Sequence, residues 1–343
     1  MRVLLADPPA YTPPYDHALA SALARAGAEV ELVTSRFRFG EVPEPDGYVR
    51  SELFYPVSSR VFRRSRLRLP LKAVEHPFGL ARLAARDCDV IHVQWLAAPA
   101  LDARLLRLRH PSVFTAHDIL PRRTAEKTEL WLRLWSRFDR VVVHSERGRE
   151  ALAGFGIDAR VIPLPAFPSD PPRVDDGHTV LFCGVIRPYR GLPDAIAAVR
   201  QVEGARLLVV GDPAMPLEPY RAEPGVEWRL GYLPEAEIDR AHGEATAAVF
   251  PYLPELDQSA ALLRALGAGV PAVVYDVGGL AEPVRSYGAG LVVAPGDVEG
   301  LAAALRIVLA DPEPFREGAR RARAELTWDA SAAAHLALYE EIV

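Results

Sequence analysis

Short apolar runs alternating with longer amphipathic segments recur twice along this 343-residue chain, and that alternation constrains the fold more than any other feature. It is the pattern of a parallel sheet covered by helices on both faces. The first series predicts strands at 2–6, 28–34, 89–93, 112–116, 140–144 and 159–162, with helices at 15–26, 97–108, 124–138 and 146–153. Pro163, Pro165, Pro168, Pro171 and Pro172, interspersed with Asp170, Asp175 and Asp176, then forbid a regular element, so residues 166–178 read as a linker. The pattern resumes with strands at 179–183, 205–210, 226–229, 246–250, 271–275 and 290–293, and closes with helices at 297–309, 312–325 and 328–342. Two Rossmann-like domains are expected, 1–165 and 179–327, facing each other across an interdomain cleft onto which the carboxyl ends of both sheets open.

Composition narrows the partners. Residues 1–165 carry 25 Lys and Arg against 19 Asp and Glu, whereas 166–343 carry 15 against 26, within a net charge of -5. An acidic chain without an aromatic and basic stripe lacks the footprint of a nucleic-acid binder. The basic excess is concentrated around Arg60, Arg63, Arg64, Arg66, Arg68 and Lys72, interleaved with Val61, Phe62, Leu67 and Leu69. Residues 60–72 therefore read as a solvated face, or as a peripheral contact with a membrane surface, with Pro70 expected to interrupt any long helix there. No run of eighteen uncharged residues exists, and the opening MRVLLAD reads as a strand, not a leader; a cytoplasmic protein is expected. Cys88 and Cys183 lie far apart in apolar strand patterns and read as buried packing residues. Asp87-Cys88-Asp89 spells a DxD metal motif, but it precedes a strand and reads as a turn.

Loops after parallel strands carry the chemistry. The first, DPPAYTPPYD at 7–16, has no glycine, which argues against a dinucleotide enzyme. Its Tyr11 and Tyr15, with His17, suit a wall for an acceptor. VFTAHDILP places His117 and Asp118 just past a strand, where a histidine can meet a sugar hydroxyl or steady charge at a reacting carbon. His92 and His144 repeat the arrangement, His92 within its strand as a core group. In FCGVIRPYRGL, Gly184 allows close backbone approach, while Arg187 and Arg190 can each grip phosphate oxygens. The helix starting near Asp257 to Ser259 offers free N–H groups to a second anion. A diphosphate fits both. Gly231, Tyr232 and Leu233 supply a loop suited to a nucleotide base.

With those motifs in hand, the chain resembles the family four retaining glycosyltransferases of the GT-B fold. The landmarks are VFTAHD, VVVHSE, ARVIPLP, FCGVIRPYRGL, LLVVGDP, GYLPEAEI and ALGAGVPAVVYDVGGLAEPV, in family order. The resemblance implies an acceptor-binding first domain, rejoined by the C-terminal helix 328–343, and a second domain for a nucleotide-sugar donor. It implies that a hexose-type sugar moves from a nucleotide diphosphate, UDP-sugar first and GDP-mannose next, to a saccharide, lipid-linked or small-metabolite hydroxyl. Retention at the anomeric carbon, with neither metal nor cofactor, is implied too. His117 would lie beside the donor sugar, Gly184, Arg187, Arg190, Gln258, Ser259 and Ala260 at the diphosphate, and Glu255 and Asp257 near the ribose. One departure stands out: the family's two glutamates, eight positions apart, fall here on Leu256 and Arg264. Gln258-Ser259-Ala260 resembles a QSG variant of the family. Two rival readings follow, a catalytically silent subunit of the same fold and a nucleotide-sugar epimerase or hydrolase.

Overall fold

The computed structural model describes residues 1–61, 68–120, 126–253 and 258–343. The chain divides into two compact units, Met1–Pro163 with Trp328–Val343, and Leu164–Thr327.

In the first unit the order along the chain is β1 (Arg2–Asp7), α1 (Pro13–Arg25), β2 (Glu29–Ser35), β3 (Val49–Phe54), α2 (Ser58–Val61), α3 (Arg68–Ala84), β4 (Val90–Val93), α4 (Pro99–Leu105), β5 (Ser112–Thr115), α5 (Thr128–Trp135), β6 (Arg140–Val143), α6 (Glu146–Ala153) and β7 (Ala159–Val161). The second adds β8 (Thr179–Cys183), α7 (Leu192–Val199), β9 (Arg206–Gly211), β10 (Val226–Leu230), α8 (Glu235–Glu244), β11 (Ala247–Phe250), α9 (Ala260–Gly267), β12 (Ala272–Tyr275), α10 (Ala281–Tyr287), β13 (Gly290–Val293), α11 (Val298–Ala310) and α12 (Glu313–Glu325). The last helix, α13 (Trp328–Glu340), belongs to the first unit. It lies along α1, joined by an Arg25–Asp329 ion pair of 2.7 Å, and the Tyr339 hydroxyl reaches His92 at 2.7 Å.

Every pairing among the described strands is parallel. The first sheet runs β3-β2-β1-β4-β5-β6-β7 and the second β10-β9-β8-β11-β12-β13. Strand order reverses at β1/β4 and at β8/β11, and each reversal parts the loops above it into a crevice within its own unit. The central strands are apolar because both faces are covered: Val3 to Ala6, Val180 to Phe182 and Ala247 to Phe250 are all buried.

Three features depart from the sequence expectation. β3, α2 and α3 have no counterpart in it. Pro70 does not prevent the 17-residue α3, because it sits in the first turn, where a missing N–H costs no bond. Residues 166–178 contain no helix or strand, yet they are bound to the second unit: Asp170 pairs with Arg323 at 2.6 Å, Asp175 with Arg316 at 2.9 Å, and Arg173 donates to the Ala245 and Ala268 carbonyls at 3.2 Å. Residues 62–67, with Arg63, Arg64 and Arg66, lie outside the described residues. Asp87 and Asp89 do occupy the turn before β4, both engaging Arg2.

Candidate active site

In the second unit the polar groups gather at the β8/β11 switch point. β8 ends at Cys183, and Gly184 follows with φ +116, a conformation glycine tolerates. A Cβ there would strike the Arg190 guanidinium, which lies directly beneath the loop. Arg190 closes a single 3-10 turn, Pro188–Arg190, and Gly191, at φ +69, starts α7 against the Pro251 carbonyl. The Arg190 Nη1 donates to the Cys183 carbonyl at 2.7 Å, and the guanidinium stands 5.1 Å from the centroid of the Tyr252 ring. Its Nε is buried with no partner among the described residues. The Tyr252 hydroxyl lies 3.2 Å from Ser259 Oγ, which in turn accepts from the Leu262 N–H and caps α9. Gln258 braces the turn, donating to the Gly279 carbonyl at 2.9 Å while its Oε1 accepts from Ser259 N.

Arg190, Tyr252, Gln258, Ser259 and the amino end of α9 at Ala260 thus form one connected group. Arg187 is exposed and stands apart from it. Glu255 and Asp257 fall outside the described residues. Gly231 (φ +132) bonds to the Gly211 carbonyl at 3.0 Å with open space where a side chain would stand; Tyr232 beside it is 52% exposed and Leu233 half-buried.

In the first unit a buried aromatic and imidazole cluster sits above β1, β4, β5 and β6. His117 is half-buried, stacked on Trp95 with centroids 4.9 Å apart and met edge-on by Tyr15 at 4.8 Å. Tyr15 is itself only 4% exposed, so its ring orients His117 and does not face solvent; Tyr11, 57% exposed, packs edge-on against Trp95. His17 shares a 3.1 Å contact with the Tyr48 hydroxyl. Asp118 is half-buried next to His117 in the chain.

Burial, reinforced by neighbouring imidazoles, holds His117 and His92 well below the usual histidine range, and burial lowers His144 to about 4. All three are neutral at pH 7, which fixes the protons. His144 Nδ1 must donate to the Ile162 carbonyl at 2.9 Å, so its Nε2 accepts from His117 Nδ1 at 3.2 Å. In the structure the Gln94 oxygen stands 2.9 Å from His117 Nε2, where a neutral His117 presents a lone pair, so the amide must be turned over to donate an N–H to that nitrogen. Turned over, the amide puts its oxygen where its nitrogen now stands, 3.2 Å from His92 Nε2, and accepts from that ring, while His92 Nδ1 accepts from the Tyr339 hydroxyl. Left as placed, the Gln94 oxygen would require a charged His117, against the direction in which burial moves that group.

Sequence reasoning missed Gln94 and Trp95, whose roles depend on neighbouring strands, and the buried pair Asp7 and Asp16. Asp7 Oδ2 accepts the N–H groups of Tyr11 and Thr12 at 2.7 and 3.2 Å, fixing the loop. Burial, then the charge of Asp7, pushes Asp16 well above the usual carboxylate range, so Asp16 keeps its proton and donates it to Asp7.

Two family models match the chain: the one described as Glycosyltransferase Family 4 over residues 15–166, and Glycosyl transferases group 1 over residues 177–311. The chain belongs to the family four glycosyltransferases of GT-B fold. Among curated members, a D-inositol 3-phosphate glycosyltransferase of Jonesia denitrificans is 31% identical over 183 residues, 48% of this chain and 43% of that protein. One of the same name from Geodermatophilus obscurus is 30% identical over 49% of this chain and 42% of its own length. The match therefore spans less than half of these relatives. Among solved GT-B structures, the sucrose-phosphate synthase of Thermosynechococcus elongatus superposes with a TM-score of 0.78 at 19% identity, covering 99% of this chain and 98% of its own. HepE of Anabaena, solved with UDP and glucose, gives 0.68 at 17% identity over 99% and 100%. At those identities the likeness is one of fold.

Proposed function

We propose that this chain is a retaining glycosyltransferase that moves a hexose-type sugar from a nucleotide diphosphate to an acceptor hydroxyl without a catalytic metal. The observation that carries the reading is the convergence of Arg190, Ser259 and the amino end of α9 at the β8/β11 switch point. As the anomeric carbon–oxygen bond breaks, negative charge grows on the departing diphosphate. A guanidinium and a helix's positive end meet that charge where it develops, which is where an enzyme gains most. Exposed Arg187 is assigned to the same diphosphate once it is bound. The acceptor oxygen bonds to the anomeric carbon on the face the nucleotide leaves, and its proton passes to the leaving phosphate oxygen. Gly231, Tyr232 and Leu233 are assigned to the base, His117 to the donor sugar, and Tyr11 and His17 to the acceptor, with buried Tyr15 holding His117 in place. A UDP-sugar is the first choice of donor, in keeping with the ligands of HepE, and GDP-mannose the second. The acceptor belongs to the saccharide, lipid-linked glycan or small-metabolite class; the name carried by the curated relatives, an inositol phosphate glycosyltransferase, falls in the last of these.

A cytoplasmic protein touching the membrane surface through 60–72 remains part of the proposal. Exposed Leu69, Val74 and Phe78 on α3 favour it, although no helix among the described residues is long and apolar enough to cross a membrane. Incubation with UDP-glucose, GDP-mannose and their congeners, with and without acceptor extract, tests the assignment. Transfer of label to an acceptor supports it. Loss of donor without acceptor points to the epimerase or hydrolase, and an unchanged donor in every mixture to a silent subunit.

A further inference from the structure

The loop between β1 and α1 holds an aromatic ring in the open at a conformational cost. Tyr11 is 57% exposed, and the residue before it, Ala10, sits at φ +53, a left-handed backbone that a side chain disfavours. Asp7 holds that conformation: its carbonyl accepts the Ala10 N–H at 3.0 Å, and its buried carboxylate accepts the Tyr11 and Thr12 N–H groups. Tyr55, the other non-glycine residue at positive φ among the described residues, recovers its cost by burying its ring and sharing a 2.8 Å hydrogen bond with His76. Tyr11 buries far less, so folding gives little reason for its placement.

A second ring meets it. Trp95, in the loop after β4, is half-buried and stands edge-on to Tyr11, with centroids 5.4 Å apart and planes at 76°. Its indole N–H donates to the Thr12 hydroxyl at 2.9 Å, and His117 stacks on it within 15° of parallel. Trp95 is thus held by a hydrogen bond and a stacking partner, and the two rings form a rigid corner beside the histidine assigned to the donor sugar. An aromatic face carries a negative quadrupole and receives C–H groups polarised by neighbouring oxygens. A pyranose offers such C–H groups across its faces and hydroxyls around its rim. An alkyl chain lacks the polarised C–H groups, and an acyclic polyol lacks a fixed face.

We propose that Tyr11 and Trp95 form a stacking platform for a pyranose ring of the acceptor, which makes the acceptor a saccharide, free or carried on a lipid. This rests on the glycosyl-transfer reading above, and the test separates the two. Saturation-transfer NMR of the full chain is run with the methyl β-glycosides of glucose, galactose and N-acetylglucosamine, with methyl α-mannoside, and with sorbitol as the acyclic counterpart. Calorimetry with UDP, GDP and ADP runs alongside. At least one glycoside receives saturation at its ring C–H protons, and sorbitol none. Loss of one aromatic contact predicts affinity lower by roughly twofold to tenfold in Tyr11→Ala and in Trp95→Leu, with nucleotide affinity unchanged. Tyr11→Phe, which keeps the face, retains binding. The octyl glycoside of the same sugar separates the two sources: tighter binding than the methyl glycoside indicates a lipid-carried saccharide and equal binding a free one, each with the same loss in Tyr11→Ala. Octyl glycoside binding that survives Tyr11→Ala, equal saturation of sorbitol, a loss in Tyr11→Phe as large as in Tyr11→Ala, or no glycoside bound overturns the platform, while nucleotide binding keeps the donor reading intact. Glycosides bound through Tyr11 with no nucleotide bound remove the donor reading and leave the platform.

Discussion

Replacing Asp16 with asparagine should make the protein less sensitive to rising pH, and the size of the effect follows from one buried proton. Asp7 and Asp16 are 0% and 1% exposed and their side chains share a hydrogen bond, while the Oδ1 atom of each is otherwise buried without a partner among the described residues. In the unfolded chain both groups ionise near the ordinary aspartate value; in the folded chain Asp16 is raised well above it. A carboxyl raised on folding gives stability that is fully present below the unfolded value and is lost as pH climbs toward the folded one. Over that window the folded state binds one proton more, so stability falls by about 1.4 kcal/mol per pH unit. For a domain of this size that is roughly 3–5 °C in Tm per unit. The amide introduced by Asp16→Asn donates the same hydrogen bond to Asp7 and cannot ionise, so its contribution is flat. The lowered histidines act in the opposite sense, with stability lost as pH falls below their unfolded value, but they are common to both proteins and cancel in the difference. Thermal melts of wild type and Asp16→Asn at stepwise pH above the ordinary aspartate value should therefore diverge steadily, the variant gaining as pH rises. A constant difference across the window, or a variant that melts lower throughout, would refute the shared proton.

Two further outcomes are expected. Gly184→Ala places a methyl group against the Arg190 guanidinium at a φ of +116, so nucleotide affinity should drop at least tenfold, measured calorimetrically, while far-ultraviolet circular dichroism is unchanged; full affinity would show that Arg190 need not occupy its present place. His117→Ala should lower kcat a hundredfold or so with little change in donor affinity, and wild-type turnover would remove His117 from the chemistry.

Much of the fold was legible in the sequence because buried parallel strands are nearly continuous apolar runs. TVLFC, LLVV and AAVF needed only a count of hydrophobic residues and the turns beside them. β3, with the sequence VRSELF, did not stand out, since it lies at the sheet edge and most of its residues are exposed or half-buried. α3 was hidden by Pro70 and Pro77, whose meaning depends on their place within the helix. At the site, the glycine and arginines of FCGVIRPYRGL were readable as a chemical pattern, but their directions were not. Arg190 turns under its own loop toward the Cys183 carbonyl and the Tyr252 ring while Arg187 is exposed, a difference that depends on residues distant in sequence. Gln94 and His144 were equally silent as partners of His117: each lies more than twenty residues away in sequence and meets it only because β4, β5 and β6 are neighbours.

The central claim is that Arg190 and the amino end of α9 recognise a diphosphate. Calorimetric affinities of Arg190→Gln for UDP and for uridine, or for the corresponding pair of whichever base binds, test it most directly. The account predicts that the diphosphate loses tenfold or more while the bare nucleoside is unaffected. Equal losses for the two ligands would contradict it.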